Sequence, residues 1–176
     1  MNWVWYFAYG SNMQAATFRG RRGIEPRHAV AVRAAGWRLV LDKPPLLPTG
    51  HSFANVVPDE HAVVYGVAYE ISADDLAHVE FSEGVQLGNY LRVEVELETL
   101  AGEPLRACTL TSEKRGQGLQ PSTRYMSLLV DGALEHGLPE HWITMLRAVP
   151  AVEESEEAKA ARAFLDRVIA KKNRPH

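Results

Sequence analysis

Apolar and polar positions divide the chain into a strand-rich first two thirds and a helical last third. Trp3–Ala8 is an aromatic and β-branched run broken by Gly10-Ser11-Asn12, which predicts a buried first strand entering a tight loop. Met13–Phe18 reads as a short helix that Gly20 ends. His28–Asp42 alternates as a strand, with Val30, Val32, Trp37, Leu39 and Leu41 as its apolar members. The three prolines of Lys43–Gly50 forbid regular structure, so this stretch is expected as an ordered surface loop. Phe53–Val57 predicts another short strand, Pro58-Asp59-Glu60 a turn, and Ala62–Ile71 a further strand.

Ser72 has the chemistry of an N-cap, with Asp75 as a weak capping-box partner, for a helix through about Phe81. Gly84 and Gly88 bracket a loop. In Tyr90–Leu97 the residues Leu91, Val93, Val95 and Leu97 share one face, and Arg92, Glu94 and Glu96 the other. That is a strand with one solvated side. Its hairpin partner is Leu105–Thr111, joined through Ala101-Gly102-Glu103. Ser122 caps a helix to His136 that Gly137 stops, and Pro139 opens another, His141–Val149, ended by Pro150. Ser155–Lys172 is a charged amphipathic helix with Ala158, Ala161, Phe164, Leu165, Val168 and Ile169 on its apolar side. Strands first and helices last favour an α+β domain over a doubly wound α/β fold, and the length suits one domain spanning 1–176.

Composition narrows the function classes. Hydrophobic residues at 46% and charged residues at 23% are the balance of a water-soluble globular protein, and a formal charge of −3 argues against a nucleic-acid binder. The single cysteine, Cys108, forms no intrachain disulfide and reads as an inert core residue. No Cys/His set has zinc-ligand spacing, so no metal is expected. The apolar N-terminus lacks a basic segment and a small-residue cleavage site, and no apolar run approaches the roughly 18 residues of a membrane helix. The expected compartment is the cytoplasm.

Two short stretches could carry chemistry. Tyr9-Gly10-Ser11-Asn12 follows a buried strand; its glycine lets a ligand approach the backbone, and successive free N–H groups can bind an anion. A plain strand-ending turn is the commoner meaning of such a tetrapeptide. Glu83, between a helix end and a strand start, is placed to be partly desolvated and to move protons, although most loop carboxylates are simply solvated. The hydroxyls of Tyr90 and Tyr125 could close a polar pocket. The seven histidines are scattered and none is assigned a role, and Arg19-Gly20-Arg21-Arg22 reads as a solvated helix end.

In order, these pieces resemble the γ-glutamylcyclotransferase family. Tyr6-Phe7-Ala8-Tyr9-Gly10-Ser11-Asn12-Met13 resembles its N-terminal motif, and Glu83-Gly84-Val85-Gln86-Leu87-Gly88-Asn89-Tyr90 its Glu-Gly-Val…Gly-x-Tyr signature. Phe53–Pro58 and Val64–Tyr69 resemble its central strand pair, and Pro121–Tyr125 and Gly137–Glu140 its helical region. The resemblance implies a small mixed barrel-like sheet with flanking helices and a pocket where the Tyr9–Asn12 loop meets Glu83. It implies that Glu83 is the catalytic acid/base and that Tyr6, Phe7, Ala8, Tyr9, Gly10, Ser11, Asn12, Tyr90 and Tyr125 bind substrate. The implied partner is a small γ-glutamyl compound that is cyclised to 5-oxoproline without a cofactor, metal, nucleic acid or membrane; a homodimer is compatible with it. Glu80-Phe81-Ser82 and Thr111-Ser112-Glu113-Lys114 depart from the family's usual residues and are expected on the leaving-group side. The alternative is a ligand-binding or interaction module of the same fold without turnover.

Overall fold

The computed structural model describes residues 2–47 and 49–172. Five strands close into a barrel in the order β1 (Trp3–Ala8), β3 (Phe53–Ser72), β2 (His28–Lys43), β4 (Leu91–Thr99) and β5 (Pro104–Thr111). All neighbours are antiparallel except the closure, where β1 meets β5 in parallel at Tyr6 and Cys108. The helices are α1 (Ala73–Ser82), α2 (Thr123–Glu135), α3 (Glu140–Ala148) and α4 (Glu156–Lys172). The expected α+β class with a barrel-like sheet is therefore what the chain adopts. Among the described residues no helix is long and apolar enough to cross a membrane.

Alternation explains the strands that position the site. On β4, Val95 and Leu97 are buried while Glu94 and Glu96 are exposed, although Leu91 at its start lies outside the core. Both predicted serine caps form: Ser72 Oγ accepts from Asp75 N at 3.0 Å, and Ser122 Oγ from Tyr125 N at 3.1 Å. Ser155 Oγ likewise accepts from Ala158 N at 3.1 Å and opens α4.

Three expectations need correction. Phe53–Val57 and Ala62–Ile71 are one continuous strand, β3, and no turn interrupts it at Pro58. Pro58 pairs with Trp37 beside a register shift where β1 no longer flanks β3, a place where a missing N–H is tolerated. Gly36 sits in that shift with φ +84°, a conformation a side chain resists. Met13–Phe18 is not a short helix ended at Gly20; a 3₁₀ turn spans Ser11–Met13 and a π-helical turn Ala16–Arg21. On α4, Ala158 and Ile169 are buried, but Phe164 and Val168 face outward. The loop after β2 is irregular as expected; Pro48, one of its three prolines, lies outside the described residues.

The core gathers Phe7, Phe18, Tyr69, Ile71 and Val67 around the barrel, with Leu129 of α2 and Leu146 of α3 against it. Phe18 stacks on Tyr69 at 4.3 Å between ring centroids, fixing the π-helical turn to the sheet. Thr17 O accepts from Arg22 N at 3.1 Å, a reach of five residues that ends the turn.

Candidate active site

Glu83 is held at the end of α1. Its amide donates to Val79 O at 2.9 Å, and its carbonyl accepts from Asn89 Nδ2 at 2.9 Å, tying the Gly84–Gly88 loop back to the helix. Its side chain keeps 24% of its surface exposed. Oε1 accepts from Arg22 Nη2 and, at 3.4 Å, from Asn12 Nδ2. Arg22 and Asn12 are themselves joined, Nε to Oδ1 at 2.6 Å, and Arg22 Nη1 donates to Ser82 Oγ. Asn12 Nδ2 also reaches Tyr6 OH at 3.0 Å. With Arg22 only 4% exposed, this guanidinium is an internal strut rather than a solvated charge.

These groups border a cavity of about 210 Å³. Gly10 and Ser11 line it beside Glu83, and the first amides of the 3₁₀ turn lack carbonyl partners within that turn. Tyr125 OH accepts from Ala54 N at 3.1 Å, and Tyr90 OH donates to Ala54 O at 2.9 Å, so the two phenols hold the peptide groups on either side of one β3 residue. Tyr9 OH donates to Leu110 O at 2.5 Å. Burial is the largest cause that pushes the pKa of Tyr6, Tyr9, Tyr90 and Tyr125 upward, so all four stay neutral hydroxyls at physiological pH. A Cβ on Gly10 would lie 3.2 Å from Tyr125 OH, so the absence of a side chain lets this turn approach the phenol.

Lys43 is wholly buried at the cavity wall. Its Nζ donates to Asn89 Oδ1 at 2.7 Å and Pro44 O at 2.5 Å, and lies 4.7 Å from the Tyr90 ring centre. Burial first, then Lys114, lower its pKa to about 8, with Glu83 opposing. Elsewhere the cavity is bordered by Leu46, Leu47, Leu128, Leu165, Arg124 and Arg162. Among the described residues no group of three or more His, Cys, Asp or Glu is disposed to hold a metal ion.

The structure brings Glu83 together with Tyr6, Tyr9, Gly10, Ser11, Asn12, Tyr90 and Tyr125 around this one cavity. Phe7 and Ala8 are not among its walls: both are packed into the core, Phe7 with its ring against Gly66. Ser82 lines the cavity, but the 111–114 stretch does not; Ser112 instead bonds Asn55 and Asn89 behind the wall. Arg22, expected as a solvated helix end, is the carboxylate's buried partner. Lys43, Arg124 and Arg162 carried no signal in the sequence that separated them from ordinary surface cations.

Residues 63–146 match the AIG2-like family. The chain is 33% identical over 164 residues to the γ-glutamyl cyclotransferase aclK of Aspergillus oryzae, covering 82% of this chain and 60% of that protein's length. It is 27% identical over 147 residues to the γ-glutamylcyclotransferase of Bos taurus, covering 82% of this chain and 77% of the relative. Among solved structures, one described as a γ-glutamyl cyclotransferase superposes with a TM-score of 0.75 at 23% identity, covering 97% of this chain and 99% of that one. At that identity the likeness is one of fold.

Proposed function

We propose that this chain, which belongs to the γ-glutamylcyclotransferase family, closes a γ-glutamyl amino acid or amine into 5-oxoproline and releases the partner amine. The substrate's glutamyl end lies against the amides of the Tyr9-Gly10-Ser11 turn. Glu83 takes a proton from the α-ammonium, and the freed nitrogen attacks the γ-carbonyl carbon of the same molecule. The tetrahedral oxyanion is stabilised by main-chain N–H groups. Its collapse breaks the γ-amide C–N bond as Glu83 returns the proton to the departing nitrogen; the ring nitrogen then loses its second proton through Glu83, and the released amine takes it up as its ammonium. Because attacking and attacked atoms belong to one chain, holding that chain bent supplies a large part of the rate.

What supports this reading is that the Glu83 carboxylate borders the same cavity as Gly10 and Ser11, with its Oε1 anchored by Arg22 and Asn12. Oε2 takes no part in those two contacts and is the oxygen that carries the proton. The neutral phenols of Tyr90 and Tyr125 hold the neighbouring part of the wall through Ala54. A cytoplasmic setting accompanies the proposal.

The test is a panel of γ-glutamyl compounds scored for 5-oxoproline release, run with wild type and Glu83→Gln. Wild type is expected to turn over at least one compound, and the variant to lose about 10²-fold or more in kcat. Undiminished turnover by Glu83→Gln overturns the assignment of the carboxylate. No turnover by wild type on any compound favours a ligand-binding module instead.

A further inference from the structure

Lysine is rarely buried outright, and the sheet departs from regularity to bury Lys43 at the cavity wall. From Val40 to Lys43 the strand β2 takes three steps, while its partner β3 takes two, from Asn55 to Phe53. Side chains alternate along a regular strand, so residues 40 and 43 would face opposite sides of it. The extra residue is a bulge that re-phases β2, and both Val40 and Lys43 end up buried.

What the ammonium meets there is the chain returning from Glu83. Nζ donates to Asn89 Oδ1 at 2.7 Å and to Pro44 O at 2.5 Å, and it lies over the Tyr90 ring. An ammonium has donors and no acceptor, so only the oxygen of the Asn89 amide can face it. The other end of that amide is thereby turned to Glu83, where Nδ2 donates to the main-chain carbonyl at 2.9 Å. Asn89 N also donates to Gly84 O at 3.0 Å, and Asn89 O accepts from Ser112 Oγ at 2.9 Å, so every polar atom of residue 89 is engaged. The loop between Glu83 and Asn89 has little else to fix it. Gly84 and Gly88 both sit at positive φ, and none of Val85–Leu87 is fully buried.

We infer that Lys43 is a positioning residue for ring closure: through the Asn89 amide it fixes the main chain at Glu83 and so keeps the carboxylate beside the Gly10–Ser11 turn. This rests on the ring-closing reaction proposed above. The charge matters because it dictates which way the amide points. An apolar side chain at position 43 leaves the Asn89 amide free to turn and Glu83 O without its donor. Arg22 and Asn12 hold the same residue by its side chain, so Glu83 is gripped at both its carboxylate and its backbone.

The experiment measures 5-oxoproline release from γ-glutamyl-alanine and γ-glutamyl-methylamine by wild type, Lys43→Met, Asn89→Ala, their double variant and Asn89→Asp, each checked for a wild-type circular dichroism spectrum. Asn89→Asp keeps an oxygen for the ammonium but has no N–H for Glu83 O, so it cuts only the second link. Each single variant is expected to lose about tenfold in kcat, with KM changed by less than about twofold. The double variant loses no more than the worse of its two singles, because both cut one relay. Should Lys43→Met not fold, Asn89→Asp carries the test, since it leaves the ammonium its acceptor. A wild-type kcat in Lys43→Met or Asn89→Asp, a loss confined to KM, or losses that multiply in the double variant overturn the inference and leave ring closure standing. Failure of wild type to release 5-oxoproline from these two compounds and from the rest of the panel removes the ring-closing reading, and the inference falls with it.

Discussion

Lys43→Met exchanges a buried ammonium for an apolar chain of similar length, and its effect has a definite pH signature. Lys43 is wholly buried, and its pKa is lowered from 10.5 to about 8, first by burial and then by Lys114. A lysine lowered in this way binds its proton less tightly in the folded chain than in the unfolded one. Below about pH 8 the charge therefore costs the folded state about 3 kcal/mol, at about 1.36 kcal/mol per pH unit. As pH rises through 8 towards 10.5, the folded lysine loses its proton first and the cost shrinks. The stability of wild type is expected to climb relative to Lys43→Met by about 2 kcal/mol between about pH 7 and about pH 9.5. Cys108, pushed up to about 11 by burial, pulls the other way above its ordinary 9.0, but it is present in both proteins and cancels. Urea unfolding of the pair at intermediate pH values reads the gap directly. A gap that stays flat with pH, or moves against wild type, refutes the reasoning.

Two further outcomes follow from the packing. In Gly66→Ala the new Cβ meets Ala8 O and comes within 2.6 Å of the Phe7 ring; because the first obstacle is backbone, the loss should be about 3 kcal/mol or more, read as a lowered thermal midpoint. Arg22→Met removes the anchor of Glu83 Oε1 and should lower kcat by about 10²-fold with a smaller change in KM, whereas a wild-type kcat would show that Arg22 does not position the carboxylate.

Much of the scaffold is legible from local pattern because local physics decides it. The strict alternation of β4, the hydroxyl caps at Ser72 and Ser122, and the glycine stop at Gly137 act within a few residues of themselves. What escapes local pattern depends on distant partners. Pro58 reads as a turn until β2 is known to shift register beside it. Arg22 reads as a surface cation because its burial needs a π-helical turn, whose extra residue no hydrophobic period announces, and three acceptors from two parts of the chain. Lys43 ends a strand and is followed by prolines; only the return of Asn89 and Tyr90 encloses it. The site was legible where the motif itself forms the wall, as at Tyr9–Asn12 and Glu83. It was not legible where α4 completes it.

That last helix has a wider consequence. Its cavity-lining residues, from Ala158 to Leu165, lie beyond the stretch 63–146 that matches the family, while Glu83 falls inside it and the Gly10 turn before it. Redrawing Glu156–Lys172 therefore changes that wall of the chamber and leaves Glu83 with its Arg22 and Asn12 contacts in place. A different closing helix on the same barrel gives a differently shaped chamber around the same carboxylate.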